Sequence, residues 1–416
     1  MPEWCAATCA GCGCGCDDIE IAVAGGALER LVGTCTIGDE WFAERTAHAP
    51  APARVDGREV DFAEAVEQAA AILAEARLPL VCGLGQTDCE SQRAAVALAD
   101  AIGAVIDPAG PLDGGAVGAA SQAIGLSTAT FGELRDRAEL VVVWRADPVA
   151  SHPRLLPRLR LDRAGRAAER NLVVVDAGRT ATADEADEFI ELPPELDFEA
   201  LWAMRALVRD VPLDGNLAAR LPLDALGQLA GRLRACGYGA VVHGPAGSAN
   251  ALALLALVRD LARITHVVAL PLRHDGNARG AEDVLAWQTG YPAAVSFARG
   301  YPRARPGEFS AAGLLARGET DAAVIIGLDA LRHLPPPAAD QLRRIPAIVV
   351  DPRATETAAV ARVAFATAAG GVGREGTAHR MDGVPVTLRA PLASERPGDG
   401  DVLAAIAARI AGEERI

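Results

Sequence analysis

Four cysteines near the start of the chain have a spacing that can build a metal site. Cys9, Cys12, Cys16 and Cys35 read C-x2-C-x3-C-x18-C. Thiolates two and three residues apart on a tight Gly-rich turn converge on one point, and a fourth from a later turn closes the shell. That donor set suits a [4Fe–4S] cluster or a four-thiolate zinc ion. A disulfide framework is the remaining alternative. No signal peptide is read ahead of the motif, so reduced thiols in the cytoplasm are the expectation. Cys5 and Cys14 are surplus to the pattern. Cys82, Cys89 and Cys236 stand in or beside apolar stretches and read as inert core residues.

Other side chains invite a chemical reading. His152, between Ser151 and Pro153, is placed as a general base would be, but a buried histidine fixing a loop explains it as well. Arg299, Arg303 and Arg305 interleave with Tyr291, Phe297 and Tyr301. This basic aromatic segment suits a contact with a neighbouring subunit or with carboxylates of a ligand, through guanidinium–carboxylate pairs. Gly83-x-Gly85, ahead of a helix expected near Asp88, offers backbone N–H groups to an anion. It lacks the third glycine of a dinucleotide fingerprint, and Gln86-Thr87 follow instead.

The elements that must position these residues follow from composition and pattern. At 416 residues the chain can bury large cores in two or three domains. Its net charge of −15 argues against nucleic acid, which needs a basic face. The apolar stretch that ends at Val258 is too short to span a bilayer. Ile19 to Val23 and Leu28 to Val32, separated by Ala24-Gly25-Gly26, read as a hairpin, and the Pro-rich run from Pro50 as a linker. Beyond it, short apolar strands alternate with Ala-rich helical stretches, the pattern of a parallel sheet covered by helices.

A duplication shows through this alternation. The strand ending at Gly83 parallels the one ending at Gly244, the turn at Asp147 parallels that at Asp329, and Asp176 with Arg179 and Thr180 parallels Asp351 with Arg353 and Thr355. Each copy is expected to run, in the same chain order, strand with Gly turn, strand with Asp turn, strand with Asp–Arg turn. Two related α/β domains follow, with strand ends facing a shared cleft. The expected boundaries are a Cys-rich unit over 1–54, a first α/β domain over 55–112 and 313–416, and a second over 113–312.

Longer motifs resemble one family. The cysteine set running into Cys16-Asp17-Asp18-Ile19, then Thr130-Phe-Gly-Glu133, Ser151-His-Pro-Arg154, Trp287-Gln-Thr-Gly-Tyr-Pro292 and Glu375-Gly-Thr-Ala-His-Arg-Met-Asp-Gly-Val-Pro385, resembles the B subunit of formylmethanofuran dehydrogenase, a molybdopterin oxidoreductase. The resemblance covers nearly the whole chain. It implies two related parallel-sheet α/β domains of molybdopterin-oxidoreductase type beside a small N-terminal β unit, one [4Fe–4S] cluster at Cys9, Cys12, Cys16 and Cys35, and a bis-pterin tungsten or molybdenum centre that reduces CO2 to formate. In the family a cysteine ligates that metal beside a histidine; the matching positions here are Asp113 and Gly114. The family's Gly-x-Asn-Pro turn is Arg145-Ala-Asp147-Pro148, and its Pro-Gly turn is Pro194-Glu195. A guanidinium replaces a glycine, an acceptor-only carboxylate replaces an amide, and the Glu195 carboxylate would repel a nucleotide diphosphate.

These departures, in separate loops, disfavour one and the same cofactor. What remains is similar to the B subunit of the bacterial formyltransferase/hydrolase complex of methylotrophs. That resemblance implies a cytoplasmic, redox-inactive scaffold subunit without a molybdenum or tungsten pterin. Its partners would be an amidohydrolase-like A subunit, a C subunit and a formyltransferase-like D subunit, and a methanofuran-like carrier would serve the complex. The alternative is a working dehydrogenase subunit with Asp113 as metal ligand.

Overall fold

A computed structural model describes residues 2–47, 51–108, 115–213, 215–245 and 247–413. The N-terminal sheet is antiparallel: β1 (Glu3–Cys9), β2 (Cys16–Ala24) and β3 (Ala27–Val32), with β2 and β3 forming the expected hairpin over Gly25 and Gly26. The chain then makes β4 (Ala53–Val55), β5 (Arg58–Glu59), β6 (Pro79–Gly83) and β7 (Val105–Asp107). Next come β8 (Leu140–Trp144), β9 (Asn171–Asp176), β10 (Glu188–Glu191), β11 (Tyr238–His243) and β12 (His266–Pro271). The remaining strands are β13 (Val295–Ser296), β14 (Arg303–Ala304), β15 (Ala322–Ile326), β16 (Ala347–Val350), β17 (Val363–Phe365) and the pair β18 (Gly376–His379) and β19 (Pro385–Leu388).

Two compact units result. The first comprises Met1–Gly115 and His274–Ile416, and the second Ala116–Arg273. The second unit holds one sheet in the order β10-β9-β8-β11-β12, and every neighbouring pair is parallel. All five residues of Leu140–Trp144 are buried, as a strand covered on both faces requires. The first unit repeats this order at the centre of its sheet, β7-β6-β15-β16-β17, again parallel. Antiparallel strands extend it at both edges, β13 beside β7 and β4 beside β17.

The boundaries differ from those expected. Val295 and Ser296 pair with Ile106 and Val105, so the stretch from His274 onward belongs to the first unit and not to a second domain reaching 312. Ala53 to Val55 also pair into the large sheet, so the N-terminal unit ends before residue 54. The duplication is real but interleaved. The first unit takes its Gly-turn strand from before the insertion and its two Asp-turn strands from after it; the second takes all three from within, with its Gly-turn strand last, so the two copies do not run in the same chain order. Register also moves one match by a residue: Gly83 lies opposite Ile326 as His243 lies opposite Trp144, so Gly83 corresponds to His243 and not to Gly244. Strand pairing decides this, because in a parallel sheet the partner and not the chain order sets equivalence.

Candidate functional site

The cysteines come first in the chain. β1 and β2 bring Cys9 opposite Cys16, and the turn between them is tight: Gly15 has φ +47°, its N–H donates to the Cys12 carbonyl at 3.2 Å, and Gly11 N–H points at Cys9 Sγ at 3.4 Å. A Cβ on Gly38 would come to 3.2 Å from Cys9 Sγ, a tight contact, so the helix packs closely on this thiol. Cys9, Cys12 and Cys16 are buried and Cys35 half-buried. Burial pushes the Cys9 thiol up to about 12, and the nearby Cys16, Cys12 and Cys35 push it further the same way. The four cysteines are therefore neighbours, and as donors they fit a tetrathiolate site. Yet among the described residues no group of three or more His, Cys, Asp or Glu side chains stands in metal-holding geometry. The segment is also held by other means. Ile19, Ile21, Trp41 and Phe42 are buried, with Trp41 edge-on to Phe42 at 4.8 Å; Val23 and Leu31, expected as further anchors, are only half-buried. Thr8 Oγ1 donates to the Thr387 carbonyl at 2.7 Å, and Met381 N–H to the Gly13 carbonyl at 2.9 Å. The stretch Glu375 to Pro385 is thus a hairpin that clasps the cysteine turn.

The second unit's sheet changes direction between β8 and β11. β9 and β10 follow β8 on one side, while β12 lies beyond β11 on the other. Open α/β sheets bind ligands at such a point, outside the carboxyl ends of the strands. A cavity of about 240 Å³ lies there, lined by Trp144, Arg145, Pro194, Asp197, His243 and Asn250 among others. Arg145 spans it. Its Nε donates to both oxygens of Asp197 at 2.9 and 3.0 Å, Nη1 to Asp176 Oδ1 at 3.3 Å, and Nη2 to the Leu192 carbonyl at 2.6 Å. Three chain segments besides its own converge on one guanidinium. Its φ is +50°, a left-handed conformation that glycine adopts without cost.

Glu195, expected beside a ligand's phosphates, is exposed; the short 3₁₀ turn Pro194–Leu196 places Asp197, two residues on, against the cavity instead. Asp147 faces Thr182: its Oδ1 accepts from the Thr182 N–H at 3.0 Å and hydroxyl at 2.6 Å. An acceptor-only carboxylate suits that task. Asp113 and Gly114 lie outside the described residues. Asp176, Asp197 and His243 were not singled out as site residues from sequence. Asp176 and His243 end strands and carried that signal; Asp197, at a helix start, carried none. His243 is buried, its Nδ1–H donates to the Gly244 carbonyl at 2.9 Å, and its Nε2 has no partner among the described residues. Burial lowers its pKa to about 4, so the ring is neutral.

The first unit's equivalent point, between β6 and β15, is filled by its own side chains. Gln86 Oε1 accepts from Trp41 Nε1 at 3.2 Å and Arg45 Nη2 at 3.1 Å, while Gln86 Nε2 donates to Asp275 Oδ1 at 2.9 Å. The helix Cys89–Ala101 begins where expected, but the Asp88 carboxylate caps it by accepting from Ser91 N–H at 2.7 Å. A carboxylate at this N-terminus takes the place of an anion, which corrects the anion-binding reading of Gly83-x-Gly85.

The remaining candidates settle into structural roles. His152 is fully buried and its Nε2–H donates to the Arg273 carbonyl at 2.8 Å, so it fixes a loop. Burial raises the thiols of Cys82 to about 12 and Cys89 to about 11, and also that of Cys236, as inert residues show. Phe297 is buried, while Tyr291, Tyr301 and Arg299 are exposed; Arg303 stacks on Phe309 and Arg305 pairs with Glu308 at 3.4 Å.

A guanidinium bound to two carboxylates lines the second unit's switch point, and a Gln–Asp–Arg network lies at the first unit's. Comparison with known proteins places the chain all the same. No protein-family model matches it. It is 35% identical to the B subunit of the tungsten-containing formylmethanofuran dehydrogenase 2 of Methanocaldococcus jannaschii, over 92% of both chains. It is 32% identical to the B subunit of the formyltransferase/hydrolase complex Fhc of Methylorubrum extorquens, over 65% of this chain and 73% of that one. The X-ray crystal structure of the latter complex, FhcABCD with methylofuran, contains a chain that superposes with a TM-score of 0.73 at 27% identity, covering 88% of this chain and all of that one. Acetylene hydratase from Pelobacter acetylenicus shares the fold at 13% identity, with a TM-score of 0.63 over 92% of this chain and 64% of its own. The fold is thus of molybdopterin-oxidoreductase type, and the chain belongs to the family of formylmethanofuran dehydrogenase B subunits.

Proposed function

We infer that the chain is a structural, redox-inactive B subunit of a formyltransferase/hydrolase complex in tetrahydromethanopterin-linked conversion of formaldehyde to formate. The observation that carries this reading is Arg145, which lines the switch point of the second unit and is bound there to Asp197 and Asp176. The likeness to a chain of FhcABCD supports the assembly. An amidohydrolase-like A subunit and a formyltransferase-like D subunit would carry the formyl chemistry, together with a C subunit and with a methanofuran-like carrier as the formyl acceptor. This chain would hold them, and the exposed Arg299 and Tyr301 suit a contact with one of them. No helix among the described residues is long and apolar enough to cross a membrane. Metal and pterin analysis of the anaerobically purified complex tests the reading. Stoichiometric tungsten or molybdenum with extractable pterin would sink it.

A second reading has one observation in its favour, the 35% identity to a chain of a tungsten enzyme. There the protein works as a dehydrogenase subunit with Asp113 as metal ligand. It requires formate-dependent dye reduction that disappears in Asp113→Ala.

A further inference from the structure

The duplication supplies an internal control for Arg145. Its counterpart is Gly327: each is the first residue after a central strand, and each donates its N–H across the sheet at 3.0 Å, Arg145 to the Val175 carbonyl and Gly327 to that of Val350. Their backbones agree as well, with φ +50° and +61°. Only the second has the residue type that this conformation favours. A non-glycine residue held there carries a steric cost that its surroundings must offset.

What offsets it is visible. The Arg145 side chain is 15% exposed, and its bidentate partner Asp197 is 10% exposed. It ties the end of β8 to the end of β9 through Asp176, to the residue after β10 through Leu192, and to the start of the helix Asp197–Val208. In the first unit, Asp351 is neutralised from its own turn by Arg353, whose Nη2 also donates to the Gly327 carbonyl at 3.2 Å. In the second, Arg179 turns away to Asp184 at 3.2 Å, and Arg145 takes over Asp176. The carboxyl ends of β8, β9 and β10 are laced together by one side chain, beside the point where an open sheet otherwise receives a ligand.

We propose that the carboxyl ends of β8, β9 and β10 form a seat of which Arg145 is the resident occupant: its guanidinium supplies there the folding stability a bound ligand would supply. The inference rests on the redox-inactive reading above. It makes the seat a guanidinium site, selective for a planar cation with donors for Asp197, Asp176 and the Leu192 carbonyl.

The test is thermal melting of the full chain, in the assembly in which it purifies, as wild type and Arg145→Gly. The glycine relaxes the backbone but leaves two carboxylates without their cation. The variant melts lower by roughly 5 °C or more. Low-millimolar guanidinium chloride raises the variant's melting point and leaves the wild type's unchanged, while sodium chloride at the same strength raises neither. The double variant Arg145→Gly/Asp197→Asn loses the response to guanidinium. An Arg145→Gly form that melts at or above the wild type, or that ignores guanidinium, overturns the inference. With a pterin-free complex, that result leaves the redox-inactive reading standing; extractable pterin in the wild type overturns both.

Discussion

Asp147 receives two hydrogen bonds from Thr182, from its backbone N–H at 3.0 Å and its hydroxyl at 2.6 Å. Asp329 receives the same pair from Thr357, at 3.0 and 2.7 Å. Each threonine oxygen in turn accepts a backbone N–H two residues beyond its aspartate, from Val149 at 3.1 Å and from Leu331 at 3.0 Å. One latch is built twice, locking the Asp turn of one strand to the helix start after the next.

The latch predicts the outcome of two substitutions. Thr182→Val keeps the shape of a fully buried residue but removes the hydroxyl, and costs about 1–3 kcal/mol in chemical denaturation. Asp147→Asn keeps the acceptor oxygen and is close to neutral. A large loss in Asp147→Asn would show that the carboxylate's charge, and not its acceptor, holds the turn.

Asp399 predicts a pH dependence. It is buried at the start of the helix Asp399–Glu413 and accepts from the Thr87 and Thr367 hydroxyls, both at 2.5 Å. Burial raises its pKa to about 7, above its ordinary value near 3.8, with Asp88 and Asp351 pushing the same way. The unfolded chain therefore loses this proton first as pH rises. Asp399 contributes most stability below pH ~4, and the contribution is lost as pH rises through about 7, at up to ~1.4 kcal/mol per pH unit. In Asp399→Asn this loss is absent. The difference in stability between the wild type and Asp399→Asn, measured from pH 4 to 8, must fall with pH; a flat difference would refute the assignment.

The cysteine turn makes a third prediction. Packing of Ile19, Ile21 and Phe42 and the clasp from Met381 and Thr387 hold the segment. Cys12→Ser should leave limited proteolysis before Pro50 unchanged. Fast nicking there, together with lost iron or zinc, would show that a metal staples the segment instead.

A fourth concerns assembly. Arg299 and Tyr301, the latter 53% exposed, follow β13 at the edge of the large sheet. If they meet a neighbouring subunit, Arg299→Glu with Tyr301→Ala weakens co-purification of the complex about tenfold or more, without changing this chain's own melting point. Intact assembly at equal affinity would place the contact elsewhere.

Much of this protein was legible in its residues. The C-x2-C-x3-C-x18-C spacing brought four cysteines together, because a short Gly-rich turn between paired strands can do little else. Runs such as Leu140–Trp144 announced buried parallel strands, and the recurring Asp turns announced a duplication. These signals are local, or repeat within one chain, and so survive without a structure. What the residues could not reveal is which strands pair. Interleaving of the two copies is decided by the sheet, which joins β6 to β15 across the inserted unit. The fate of the expected cofactor residues was also tertiary. Arg145 read as an obstruction and proved to be a keystone, because its partners Asp176 and Asp197 come from segments far along the chain. Glu195 read as the repelling charge and points to solvent, since one 3₁₀ turn gives that place to Asp197. A sequence names the charges; which of them face each other depends on how the strand ends are brought together.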